Sequence, residues 1–157
     1  MLVRTTKNLG LVTLASVAVV ALSYVLLRES HLYGPGVLAM TVLPLVAARI
    51  SGLRMRQMVP DLVFGSVDTG LLVPGAVIGA AGFGVIGALV GAAVADAITD
   101  GLAGFVEGGV AEWFRSRGLE ESRTAMGSAC GKMAGCLAGS GLMLSLMQVL
   151  RVGVMHP

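Results

Sequence analysis

The fold is decided by residues 61–107, which read DLVFGSVDTGLLVPGAVIGAAGFGVIGALVGAAVADAITDGLAGFVE. Nearly every position is apolar or small, and glycine recurs throughout, as it does where helices pack closely in lipid. Ala80, Ala81 and Gly82 lie between two apolar runs that are each long enough to cross a membrane. We therefore predict a tight helical hairpin, with one helix at residues 57–80 and the next at residues 82–114.

The composition of the whole chain is also typical of a membrane protein. Of its 157 residues, 55% are hydrophobic and 13% are charged, and the mean hydropathy is +0.87. An ordinary soluble domain is about 45–50% apolar and about 25% charged. The net charge of +2 and the scarcity of aromatic residues argue against nucleic-acid binding. The composition thus excludes a disordered tail, a coiled coil and most soluble enzymes, and it makes the lipid bilayer the expected partner.

Three further apolar segments flank the hairpin, at residues 9–27, 37–50 and 124–150. The second is short for a crossing, so we expect its helix to begin near Leu32 or to tilt little. The first also fits a signal peptide, because Arg4 and Lys7 precede it, but no small-residue cleavage site follows it. The expected fold class is all-α, a polytopic membrane bundle of about five transmembrane helices with glycine-rich packing. We divide it into two N-terminal membrane helices of unknown role (residues 1–55), a three-helix domain (residues 56–150) and a short tail (residues 151–157).

The distribution of positive charge predicts the orientation of these helices. With five alternating crossings, eight of the eleven Lys and Arg residues fall on the side of the N-terminus. Only Arg28 and Arg151 fall on the other side, and Lys132 lies within the last apolar segment. The N-terminus is therefore expected to face the cytoplasm or its equivalent.

The hairpin contains acidic residues but no basic ones. The 58 residues from 57 to 114 have no Lys or Arg and hold six acids. Asp61 and Glu112 lie near the ends of the predicted helices, where we expect solvated caps. The other four acids lie at membrane depth, where a carboxylate is costly and indicates a functional site; they are Asp68, Asp96, Asp100 and Glu107.

Helix geometry predicts that these four acids lie close together. On one helix, Asp100 is rotated by about 40° and Glu107 by about 20° from Asp96. Asp68 and Asp96 are each roughly 18–21 Å from the turn, so they lie at similar depth on neighbouring helices. Carboxylates in such an arrangement repel each other, and a bound cation or shared protons would relieve the repulsion. Carboxylate oxygens suit hard cations such as Ca²⁺, Mg²⁺ or Na⁺.

Four other residues are candidates for a supporting role. Thr69 and Thr99 offer hydroxyl oxygens, although threonine in a membrane helix more often bonds its own backbone. Pro74 leaves the carbonyl of Gly70 without its helical donor, so this oxygen is a candidate ligand, while a simple helix kink is the alternative. Lys132 either pairs with Glu107 to close the acidic site or extends to the membrane interface.

Glycines spaced by four residues occur in every helix of the 56–150 region. The strongest example is in the last helix, and three GxxxG pairs occur in the hairpin; the positions are Gly127, Gly131, Gly135 and Gly139, then Gly75 with Gly79, Gly87 with Gly91, and Gly104 with Gly108. Such stripes let helix backbones approach closely. They indicate either packing within one chain or, as we favour, a homodimer formed through the GxxxG faces.

Three motifs resemble the transmembrane protein 65 family, over about residues 56–150. They are FGSVD at residues 64–68, Asp96 followed by GLAGFVE at residues 101–107, and GKMAG at residues 131–135 with Gly139. The chain departs from the family pattern at three positions. Thr69 and Ala92 stand where the family has asparagine, and Asp100 stands where the family usually has an apolar residue.

The resemblance implies a function. Animal members of the family are mitochondrial inner-membrane proteins linked to sodium-dependent calcium export. It therefore implies Na⁺/Ca²⁺ exchange, with Ca²⁺ and Na⁺ as transported ions and no organic cofactor. Because the chain has no transit-peptide pattern, we expect an integral protein of a bacterial plasma (inner) membrane.

Two alternatives remain open. One is a non-transporting regulatory or scaffold protein that holds a structural ion, and the other is a transporter of another divalent metal coupled to protons. An enzyme is not expected, because no Ser/His pairing, HExxH or GxSxG motif is present.

Overall fold

The computed structural model describes residues 2–29, 32–116 and 124–150, so the tail at residues 151–157 lies outside the described residues. The described residues form five α-helices and one 3₁₀ turn: α1 (Leu2–Glu29), α2 (Tyr33–Met40), α3 (Val42–Ile50), the 3₁₀ turn (Met55–Gln57), α4 (Val59–Ser116) and α5 (Ala125–Leu150). The all-α fold class is confirmed for this part of the chain. Helices satisfy their own backbone hydrogen bonds, which apolar segments require in lipid.

Four helical segments among the described residues are long and apolar enough to cross a membrane: Thr6–Arg28, Tyr33–Ile50, Val59–Leu102 and Ala125–Leu150. The helices are thus compatible with the predicted membrane-embedded protein. The difference from the predicted five arises in α4, where a single segment of 44 residues covers the positions of two predicted helices. Five separate crossings therefore stay a prediction.

The segment Tyr33–Ile50 begins next to Leu32, one of the two arrangements expected for the short apolar run at residues 37–50. It consists of α2 and α3, which meet at Thr41. Pro44 has no N–H to donate to the carbonyl of Met40, four residues before it, which favours a break at this point. The amide of Thr41 instead bonds to the carbonyl of Leu38 at 3.1 Å.

The long helix α4 reverses direction at Phe83 and Gly84, whose backbone angles are not helical. Gly84 has a φ of 59°, which only glycine adopts without strain. The break lies just beyond the predicted turn at residues 80–82. It divides α4 into a first arm (residues 59–82) and a second arm (residues 85–116), whose backbones touch where Gly79 meets Gly87 and where Gly75 meets Gly91.

Helix α5 packs along the first arm and runs parallel to it. Gly135 lies against the carbonyl of Leu62, and Gly139 lies against that of Ser66. The hydroxyl of Ser66 reaches the Gly135 carbonyl at 3.2 Å, while it also lies 2.8 Å from the carbonyl of Leu62 in its own helix. The first arm is therefore held between the second arm and α5, and it positions the polar residues described below.

The N-terminal helices α1–α3 pack against α5 and against one another. At one end of α5, the amide of Gly34 donates to Oε1 of Gln148 at 2.9 Å. At the other end, Met58, Met126 and Cys130 form a buried apolar cluster with Ala47 and Ala48 of α3. These contacts fix α5, and through it the first arm.

Candidate intramembrane carboxylate site

The two arms of α4 are joined by a polar contact between Asp68 and Thr99. The hydroxyl of Thr99 lies 2.6 Å from Oδ1 of Asp68 and donates to it. Thr99 is 3% exposed and Asp68 is half-buried. Asp68 lies 15 residues before Phe83 and Thr99 lies 15 residues after Gly84. The contact therefore lies deep between the arms, well away from the turn.

The Thr99 hydroxyl has three acceptors within reach. Besides Asp68, the carbonyl oxygens of Ala95 and Asp96 lie 3.0 and 2.9 Å away. A hydroxyl has only one proton, so it can donate to one of them at a time. The shortest distance is the one to the carboxylate, and hydrogen bonds to charged groups are the stronger kind. We therefore take Asp68 as the main acceptor.

Asp96 lies one turn before Thr99 on the second arm, and its side chain is half-buried. The contacts of Gly75 with Gly91 and of Gly79 with Gly87 define the register of the hairpin. This register places Asp96 opposite residues 70–71 of the first arm, about 3–5 Å from Asp68 along the helix axis. Asp68 and Asp96 thus lie at similar depth, as the sequence predicts.

The third side of this region is formed by Cys136 of α5. The hydroxyl of Thr69 lies 2.8 Å from the carbonyl oxygen of Cys136. The charged neighbours of the Cys136 thiol include Asp68, Asp96 and Lys132. Sequence reasoning gave Cys136 no role, although its position four residues after Lys132 places both on one side of α5.

The four predicted ligands are only partly brought together. Asp100 is exposed, and the side chain of Glu107 lies outside the described part of the structure. Among the described residues, no three His, Cys, Asp or Glu side chains form a group that could hold a metal ion. The described candidate site therefore consists of Asp68 and Asp96, together with the Thr99 hydroxyl.

The remaining supporting candidates differ in their surroundings. The Thr69 hydroxyl also reaches the carbonyl of Gly65 at 2.9 Å, so both of its contacts are to backbone. Gly70 is half-buried, with Gly139 of α5 as its neighbour. Lys132 is exposed, and its Nζ lies 4.8 Å from the centre of the Phe64 ring. A pair between Lys132 and Glu107 stays a prediction.

The predicted solvent exposure of Asp61 is wrong. We expected a solvated cap, but Asp61 is 3% exposed. The hydroxyl of Ser128 donates to its Oδ1 at 2.9 Å, and its Oδ2 is buried with no hydrogen-bond partner. The cause lies in α5, where the small residues Ser128 and Gly131 let the helix cover this carboxylate. Asp61 lies four residues before Gly65 and seven before Asp68, so all three share one helix face. This spacing was the sequence signal for the burial of Asp61.

Over the described residues, the fold and the site thus define an all-helical structure, compatible with a membrane, that carries two half-buried carboxylates at similar depth on the two arms. No family model, curated protein or solved structure matches the chain. The resemblance to the transmembrane protein 65 family therefore stays a prediction.

Proposed function

We propose that this protein is a membrane cation transporter that binds a hard cation at Asp68 and Asp96, and that its activity is Na⁺/Ca²⁺ exchange. The observation that carries the proposal is the contact of Asp68 with Thr99 across the two arms. In this contact the half-buried Asp68 carboxylate lies deep in a segment that is apolar enough to span a membrane. The half-buried Asp96 lies at a similar depth on the other arm.

The negative charge of these carboxylates is costly in a membrane and needs compensation. A charged side chain at the centre of a bilayer costs about 2.5–3.5 kcal/mol on insertion scales. One hydrogen bond to a charged group contributes about 1.5–3 kcal/mol and satisfies only one of the four carboxylate oxygens. A cation between the two side chains would compensate the charge of both, which a hydroxyl cannot do.

The oxygen atoms near this position suit a hard cation. Ca²⁺ takes about 6–8 oxygen ligands at about 2.3–2.6 Å, mainly from carboxylates, carbonyls and water. Asp68, Asp96 and Thr99 offer the side-chain oxygens, and Gly70 offers a carbonyl that lacks a helical donor because of Pro74. Asp100 and Glu107 would join this set only after a movement of the second arm.

Transport requires that the helices around the site move. The arms touch through glycine backbones rather than interlocking side chains, and such smooth contacts permit small shear and hinge motions about the turn. In the proposal, each arm crosses the membrane once, which gives five crossings with the N-terminus on the cytoplasmic side. A bacterial plasma membrane is the proposed location.

The decisive experiment is a flux measurement with purified protein in liposomes. An imposed Na⁺ gradient should drive ⁴⁵Ca²⁺ across the membrane, and Asp96→Asn should abolish this flux. Thr99→Val should weaken the flux, because it removes a proposed oxygen ligand. Thr13→Val is its matched control and should leave the flux unchanged, because Thr13 is exposed on α1 and its hydroxyl donates to the Leu9 carbonyl of its own helix. Flux no higher than in empty vesicles, or full flux in Asp96→Asn, would refute the proposal.

A second candidate function is a non-transporting scaffold or regulatory protein that holds a structural ion. It is favoured by the hydrogen bonds from Ser66 and Thr69 to backbone oxygens of α5, which hold the helices together. This function predicts that Ca²⁺ raises the unfolding temperature while no flux occurs. Competition by Mg²⁺ or Mn²⁺, with proton movement in place of Na⁺ movement, would instead identify a proton-coupled transporter of another divalent metal.

A further inference from the structure

The second arm presents one face that nothing in the described structure covers. Ile86 is 69% exposed and Val90 is 57% exposed, and the rest of the face continues toward the end of the apolar segment. A Cβ added at Gly101 would meet no atom within 4 Å. All positions of this face fall within about 100° of rotation on the helix; they are Ile86, Val90, Ala93, Ala97, Asp100 and Gly101, and each is exposed.

This face has the small residues that a close helix contact requires. Ala93, Ala97 and Gly101 are spaced by four, which produces a flat surface. The GxxxG glycines, through which we predicted a homodimer, do not lie on this face. Gly131, Gly135 and Gly139 are buried against the first arm, and the hairpin pairs Gly75 with Gly91 and Gly79 with Gly87 meet each other. These described GxxxG faces are therefore occupied within one chain.

The face also carries a charge that lipid cannot accommodate. Asp100 is exposed inside the candidate span Val59–Leu102. Lipid tails offer it no hydrogen-bond donor or counter-charge, so an ionisable residue in such a place normally faces protein or a water-filled cavity. A second polypeptide on this part of the second arm would supply the protein surface and the counter-charge that Asp100 lacks among the described residues.

The chain itself carries the complementary charge at a matching depth. Lys132 of α5 is exposed, and its carbonyl oxygen lies beside Gly65, where an added Cβ would be 2.6 Å away. The register of the hairpin places residue 65 opposite residues 101–102 of the second arm. Asp100 and Lys132 therefore lie within about one helical turn of each other in depth.

We propose that a second copy of this chain docks on the exposed face of the second arm, so that Asp100 of each copy pairs with Lys132 of the other copy. A two-fold axis along the membrane normal keeps equal residues at equal depth, and it generates two identical ion pairs. The small residues from Ala93 to Gly101 allow the helices of the two copies to approach closely. This inference does not depend on the transport proposal.

The test is cross-linking with a short flexible bis-maleimide between differently tagged copies that are expressed together, with the native Cys130 and Cys136 replaced by alanine. One copy carries Asp100→Cys and the other carries Lys132→Cys. Val67→Cys replaces Asp100→Cys in the control, because Val67 is 54% exposed at the same depth on the first arm. We expect a mixed-tag species in the test pair at about ten times the control level, because the reagent bridges backbones that are separated by the length of an Asp–Lys ion pair, whereas a direct disulfide needs Cα atoms closer than about 7 Å. Equal yields in the test pair and the control pair would overturn the proposal.

A second measurement keeps the native cysteines. Light scattering in detergent should give the wild type twice the chain mass of 16.0 kDa and Ala97→Trp the single mass. The Ala97→Trp monomer should keep the helical content of the wild type in circular dichroism, because Ala97 faces outward. The control Val67→Trp should stay dimeric. A monomeric wild type, or a dimeric Ala97→Trp, would overturn the inference, while Na⁺-driven Ca²⁺ flux from such a protein would leave the transport proposal standing.

Discussion

Replacing Thr99 with valine removes one hydroxyl and changes the shape of the side chain very little. Thr99 is 3% exposed, and its 2.6 Å contact with Asp68 joins the two arms. Interhelical hydrogen bonds in membrane proteins average about 0.6 kcal/mol and reach about 1.7 kcal/mol. Because the acceptor is a carboxylate and the bond is short, we expect the loss to lie near the upper end, at about 1.5 kcal/mol.

The assay is equilibrium unfolding in detergent, analysed as a double-mutant cycle of Thr99→Val with Asp68→Asn. The cycle isolates the energy of the pair from other effects of either substitution. Thr13→Val should change the free energy of unfolding by less than about 0.5 kcal/mol, as is usual for surface changes. If Thr99→Val resembles this control, or if the coupling energy is close to zero, the Asp68–Thr99 bond does not hold the arms together.

Three further predictions concern the glycine contacts, the turn and the cation. Gly135→Leu should lower the free energy of unfolding in detergent by about 1–3 kcal/mol or more, because the new Cβ would collide with the Leu62 carbonyl. Gly82→Ala is the control and should have little effect in the same measurement, because a Cβ at Gly82 has open space around it. Gly84→Val should cost about 1–2 kcal/mol in the same assay, because a β-branched residue is strained at a φ of 59°, and an unchanged midpoint would contradict this assignment. Ca²⁺ at about 100 times its dissociation constant should stabilise the wild type by about 2.7 kcal/mol and leave Asp68→Asn unaffected, as thermal unfolding with and without a chelator would reveal.

The sequence predicts the helical fold well, because a long apolar run without charges has few stable alternatives in lipid. It also predicts the depth of Asp68 and Asp96, because a helix rises by a constant amount per residue. The prediction for Asp61 fails for a different reason. Whether a carboxylate near a helix end is solvated depends on the neighbouring helix, and the contact with Ser128 cannot be read from the first arm alone. The exposure of Asp100 likewise depends on how the helices are arranged.

The contact between Asp68 and Thr99 also has a role in holding the two arms together. The turn at Phe83 and Gly84 joins the arms and fixes their register, so the arms separate by opening at the end away from the turn. The two glycine contacts lie nearer to the turn, whereas Asp68 and Thr99 each lie 15 residues from it, roughly 22 Å along the helix axis. Their hydrogen bond therefore resists opening at a depth where a given rotation about the turn separates the arms further than it does at the glycines. A cation that competes for the Asp68 carboxylate would weaken this bond, so ion binding and opening of the arms are coupled through a single carboxylate.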